Sequence, residues 1–182
     1  MVLKYRMPNG HWEVPVSDAE QAIRMVRQHA KEWNVNPYKV GLMGASAGGH
    51  LTATLATHYN SETRPDFQIL LYPVVTMMQV TRGNTRAALL GKNPTMEQIQ
   101  KFSAELQVTP DTPQAFIALT SDDPSVAPYH GVNYYLALQK NKVPATLHVY
   151  PTGGHGWGFQ DSFKYKQQWT QELEKWLREG VV

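Results

Sequence analysis

In MGASAGGHL, residues 43–51, a serine stands among small residues, with Gly44 two positions before it and Gly48 two positions after. The apolar run KVGL precedes this stretch and a helical pattern follows, so Ser46 falls on a tight strand-to-helix turn. Such a turn forces the serine into a strained backbone conformation, and the small residues on either side let neighbouring backbone pass close by. Held out of the sheet at a helix start, the Ser46 hydroxyl is placed for nucleophilic attack. The Ala47 amide and the helix dipole lie beside it, ready to stabilise the oxyanion of an acyl-transfer intermediate. The plainer reading of the same residues is a glycine-rich helix start with a capping serine.

A serine nucleophile needs a base, and the base needs an orienting acid. Two polar loops follow β-like runs further along the chain: SDDPSVAP after QAFIALT, and TGGHGWGF after ATLHVYP. Open α/β sheets place their sites at the carboxyl ends of parallel strands, so these loops and the Ser46 turn converge. The candidates are Asp123 for the acid and His155 for the base. Asp123 is preferred to its neighbour Asp122 because it opens the Asp-Pro-x-Val turn; a helix cap is the plainer use of either. Flanking Gly153, Gly154, Gly156 and Gly158 leave the His155 imidazole free to reach across the sheet edge.

Six other histidines compete. His11, His29, His58 and His130 are expected on surface loops or helices, and His148 alternates along a strand as a satisfied core or face residue. His50 lies four residues after Ser46 on the same helix, where it points away from the hydroxyl and packs below the turn. Trp157 and Phe159 are candidates for lining an acyl or sugar subsite, with core packing as the plainer use. No cluster of histidines and carboxylates has metal-ligand spacing, and no metal or cofactor is expected.

The elements that must position these residues alternate between β-like and helical patterns, which predicts a parallel sheet with crossover helices. Strands are expected at MVLKYRM (1–7), YKVGLMG (38–44), FQILLYPVV (67–75), QAFIALT (114–120) and ATLHVYP (145–151). Helices are expected at 17–33, 47–59, 131–142 and 162–180. Ser17 is expected to cap the first with Glu20 in capping-box position, and the last turns Phe163, Trp169, Leu173, Trp176 and Leu177 inward. Residues 77–112 are polar, irregular and partly helical, which suits an insertion or lid-like segment over the sheet.

The chain has 182 residues, 42% hydrophobic and 18% charged, with a formal net charge of +2. That is one domain able to bury a core, with no like-charge run to attract nucleic acid and no apolar run long enough to cross a bilayer. The absence of cysteine excludes disulfides and thiolate chemistry. The first ten residues have no signal-peptide core, and the compartment stays open.

The segments GLMGASAGGHL, SDDPSVAP and YPTGGHGWGF, with YRMPNG and DAEQAIRMVR before them, resemble the α/β-hydrolase superfamily. The branch they look most like is the bacterial acetyl xylan and feruloyl esterases, lipase-like carbohydrate esterases. The resemblance runs through almost the whole chain. It implies a three-layer α/β sandwich with a mostly parallel sheet of five strands. It also implies Ser46 as nucleophile, Asp123 as orienting acid and His155 as general base. The implied substrates are acetyl or hydroxycinnamoyl esters on plant polysaccharide, hydrolysed through an acyl-enzyme.

One departure sets an expectation of its own. Family members carry further strands and a His-Gly-Gly segment before the strand that MVLKYRM resembles, and that segment's amides complete the oxyanion hole. This sequence has no such segment, so it reads as truncated at its amino terminus. Losing one oxyanion donor costs on the order of a hundredfold in turnover. The absent third strand of the family order lies between MVLKYRM and KVGLM, and buried backbone beside an empty slot is unfavourable. Residues 1–7 are therefore expected to shift beside KVGLM or to pair with another chain, as in a homodimer covering the edge. Two function classes follow: a serine esterase, or an inactive hydrolase fragment serving as a binding or interaction module.

Overall fold

The computed structural model describes residues 1–181. Its elements run α1 (Glu13–Gln28), β1 (Leu42–Ala45), α2 (Ala47–Thr57), β2 (Phe67–Leu71), α3 (Thr85–Leu90), α4 (Met96–Lys101), a 3-10 turn (Ala104–Leu106), β3 (Gln114–Thr120), α5 (Tyr129–Lys140), β4 (Ala145–Tyr150) and α6 (Lys166–Gly180). Among the described residues the sheet has four strands in the order β1-β2-β3-β4, all parallel. β2 and β3 are near-continuous apolar runs because both of their faces are covered. On one face Ala53 of α2 and Tyr134 and Leu138 of α5 meet Leu70, Ile117 and Leu119. On the other, Trp169 and Leu173 of α6 meet Ile69, Leu71, Phe116 and Ala118. The result is helix, sheet and helix in three layers. The register pairs Ala45 with Leu71, Leu71 with Ala118 and Thr120 with Tyr150, which aligns the carboxyl ends of all four strands.

Four of the five expected strands form, and residues 1–7 do not. This segment is tied to α1 instead: the Arg6 amide donates to Asp18 at 2.8 Å and the Arg6 guanidinium forms an ion pair with the same carboxylate at 2.7 Å. Nor does it move into the slot beside β1, whose only strand partner among the described residues is β2. Instead Met1, Val2, Leu3 and Tyr5 help to line a groove of about 540 Å³ along Val40–Gly44, together with Ala22 and Ile23 of α1.

The first helix begins four residues earlier than expected and makes no side-chain cap. Asn9 and Gly10, at φ of 47° and 88°, turn the chain, and Pro15 then occupies the first turn, where a missing N–H costs nothing. Ser17 is left inside the helix. Residues within 77–112 are packed: Leu89, Leu90, Ile99 and Phe102 bury against Val74 and Val126. Thr95 and Gln98 form a capping box at the start of α4. No helix among the described residues is long and apolar enough to cross a membrane.

Candidate active site

Ser46 has φ of 53° and ψ of −119°, a conformation that an L-residue holds only when its surroundings force it. They do so through the backbone. The Ser46 amide donates to the Leu71 carbonyl at 3.0 Å, and the Ser46 carbonyl accepts from the Val74 amide at 3.0 Å, so the turn is clasped to the end of β2. A Cβ on Gly44 would lie 2.1 Å from the Gly48 carbonyl oxygen, which makes Gly44 obligatory. Gly48 does not repay the same expectation, since a Cβ there would find only the Tyr5 hydroxyl, at 3.9 Å. The close approach falls to Gly49, where a Cβ would meet Pro73 at 2.7 Å.

The loops after β3 and β4 bring the other two residues to this turn. His155 Nε2 lies 2.8 Å from Ser46 Oγ, and His155 Nδ1 lies 2.6 Å from Asp123 Oδ2. A carboxylate only accepts, so Nδ1 carries the proton and Nε2 is left to accept from the serine hydroxyl. The Asp123 side chain is 1% exposed, against 22% for His155. Its buried charge is met by the Ser125 and Val126 amides, donating to Oδ1 at 2.8 and 2.9 Å, and by the imidazole. Asp122 faces elsewhere: it accepts from the Gly153 and Gly154 amides. Asp123 is therefore the aspartate that meets His155.

Behind Ser46, α2 presents its first-turn amides, which have no acceptor within the helix. Ala47 also lines an apolar cavity of about 190 Å³, shared with Tyr5, Met7, Leu51, Leu89 and Phe102. The substrate-lining candidates fare differently. Trp157 is 3% exposed and stacks on Phe163 at 4.2 Å between centroids, so it is core. Phe159 is exposed, leans on Trp169 and lines neither the cavity nor the groove along β1. Tyr72 went unnoticed in the sequence. Its ring meets the His155 ring edge-on at 4.8 Å, and its own φ is 35°. The Tyr-Pro step that follows β2 gives no sign of it, since proline drives the residue before it toward extended, negative φ.

The remaining histidines mostly take the places expected of them. His11 and His29 are exposed and His58 is half-buried. His50 turns from the serine and donates from Nε2 to the Phe102 carbonyl at 2.8 Å. His148 stands half-buried on β4, but its Nε2 has no partner. His130 departs outright, being 1% exposed rather than on the surface. Its Nδ1 accepts from the Val75 and Thr76 amides at 3.1 and 3.2 Å, which needs an unprotonated nitrogen there.

Burial pushes His50 down to about 4, and burial together with His50 pushes His130 down to about 4. An unfolded histidine titrates near 6.5. Between these values the unfolded chain binds protons that the folded chain refuses, so stability is complete above ~6.5 and is lost as pH falls toward ~4. His58 and His148, also lowered by burial, act in the same direction. Thermal unfolding followed by circular dichroism is expected to show a melting temperature that falls steadily from pH 7 to pH 5, as stability on the order of a few kcal/mol is lost. A flat melting temperature over that interval contradicts the buried, neutral histidines.

The chain is 41% identical over 182 residues to an acetylxylan esterase of Xylanibacter ruminicola, covering 97% of this chain and 38% of that protein. It is 38% identical over 156 residues to endo-1,4-beta-xylanase B of Butyrivibrio fibrisolvens, covering 78% of this chain and 24% of that one. The chain thus spans well under half the length of these curated relatives. Among solved structures, an acetyl ester-xyloside bifunctional hydrolase from Caldicellulosiruptor lactoaceticus superposes with a TM-score of 0.92 at 37% identity, covering 97% of this chain and 70% of that one. The profile of the α/β-hydrolase fold matches residues 1–159, the stretch that holds the serine turn and both converging loops, and the chain belongs to that family.

Proposed function

We propose that this chain is the core of a carbohydrate esterase that removes acetyl or hydroxycinnamoyl groups from polysaccharide such as xylan, through an acyl-enzyme on Ser46. The observation that carries this reading is the unbroken line from Ser46 Oγ through His155 to Asp123, at 2.8 and 2.6 Å. The acetyl specificity named for two of its relatives supports the substrate class.

In the reaction, Ser46 Oγ attacks the ester carbonyl while His155 Nε2 takes the hydroxyl proton. The carbonyl oxygen becomes an oxyanion, which the Ala47 amide and the amino end of α2 stabilise. As the intermediate collapses, the bond to the sugar oxygen breaks and His155 gives that oxygen its proton. Water then repeats the sequence on the acyl-enzyme, with His155 as base, and releases the acid and the free serine. Asp123 fixes the tautomer throughout and stabilises the imidazolium.

A binding module without turnover is the rival, and the open groove along β1 is the feature that favours it. A fluorophosphonate probe together with a panel of chromogenic acetate and ferulate esters separates the two. The esterase reading expects a single adduct, mapped by mass spectrometry to the peptide containing Ser46, and hydrolysis above the uncatalysed rate. No adduct and no hydrolysis would leave the binding module.

A further inference from the structure

His155 sits in a loop that has little stiffness of its own. Gly153, Gly154, Gly156 and Gly158 all have positive φ, at 146°, 62°, 81° and 40°. Glycine reaches such angles freely, and for the same reason it reaches many others. A general base must hold its nitrogen within a fraction of an ångström of the serine oxygen. Something outside the loop has to supply that constraint.

The peptide just before His155 is gripped from both sides. The Thr120 hydroxyl donates to the Gly154 carbonyl at 2.6 Å. The Asp122 carboxylate accepts from the Gly154 amide at 2.8 Å with one oxygen and from the Gly153 amide at 3.2 Å with the other. Behind Gly153 there is no room to shift, since a Cβ there would lie 2.4 Å from Phe163 and 3.1 Å from Thr120. The Gly154 amide, more than any other contact, holds the Asp122 carboxyl below the ordinary aspartate range, so it is the charged form that grips the loop.

We propose that Asp122 is a positioning residue for His155: its carboxylate fixes the Gly153 and Gly154 amides, while the adjacent Asp123 fixes the imidazole ring itself. Consecutive aspartates thus hold the loop at two points, one on its backbone and one on its ring. The proposal rests on reading His155 as the general base. Asp122 is exposed, so when its side chain is removed water can take over the two amides, and the fold survives while the loop loses its fixed geometry.

Asp122→Ala is the test, with Asp122→Asn beside it. Alanine is expected to lower kcat for a chromogenic acetate by ~10-fold, with KM and melting temperature unchanged, because a displaced base slows the chemical step and leaves ground-state binding alone. Asparagine keeps one acceptor oxygen for the Gly154 amide and is expected to recover part of that loss. The proton NMR signal of His155 Nδ1–H, shifted far downfield by its short bond to Asp123, is expected to broaden in the alanine variant, together with faster exchange of the Gly153 and Gly154 amides. Wild-type kcat in the alanine variant, or an unchanged His155 signal and unchanged amide exchange, overturns the proposal. The NMR readouts do not need turnover, so they decide the matter even if the wild-type chain hydrolyses no ester, the outcome that would defeat the esterase reading instead.

Discussion

Ser46→Ala is expected to lower kcat on a short acetate ester by ~10⁴-fold or more, leaving only what the oxyanion amides and substrate binding contribute. The size of the loss follows from the geometry. The proposed nucleophile is a single oxygen, 2.8 Å from the proposed base, and the histidine on the serine's own helix, His50, is committed to the Phe102 carbonyl. The backbone at this position stays at φ of 53° with either side chain, clasped by Leu71 and Val74, so the variant is expected to fold with a melting temperature close to that of the wild type. KM is expected to change little. A variant that keeps more than a hundredth of wild-type turnover, measured on protein of intact circular dichroism, rules out Ser46 as the nucleophile.

Asp123→Asn comes second, with an expected loss of ~10³–10⁴-fold in kcat. The reason lies in the three donors around this carboxylate. One oxygen accepts from the Ser125 and Val126 amides, the other from His155 Nδ1–H. Asparagine has one acceptor oxygen and one NH₂ group. If the oxygen serves the two amides, the NH₂ points at Nδ1 and favours the tautomer with its proton on Nε2, which cannot accept from Ser46. If the oxygen serves Nδ1, the NH₂ confronts two N–H groups in a buried space. Either arrangement disables the base. Asp122→Asn changes nothing on the ring itself, so the comparison is sharp: equal losses in the two asparagine variants would contradict the division of labour between these neighbours.

The sequence discloses this site better than it discloses what surrounds it. Ser46, Asp123 and His155 are legible because each sits on a short polar or glycine-rich loop immediately after an apolar run, and parallel strands leave their carboxyl ends together. QAFIALT is read to the residue, since a strand buried on both faces needs no alternation to identify it. MVLKYRM carries similar local propensity and forms no strand, because a strand exists only with a ladder partner, and Arg6 finds Asp18 instead. His130 looks like a surface residue at the start of a helix. Its burial is decided by two amides more than fifty positions earlier in the chain, at Val75 and Thr76. Trp157 lies in a loop without periodicity, where nothing local says which way an indole turns, and Phe163 and Trp169 draw it into the core. Tyr72 escapes for a similar reason, since its edge contact with His155 spans two loops that sequence alone does not bring together.

The Ser46–His155 hydrogen bond joins positions 109 apart in the chain, with three complete crossovers and three inter-strand pairings between them. Closing so long a span delivers its reward only after the sheet has assembled through its last strand, so the pair cannot exist in any partly built species. Regain of hydrolytic competence during refolding from denaturant would then mark the final event of self-assembly, lagging behind the recovery of helical ellipticity.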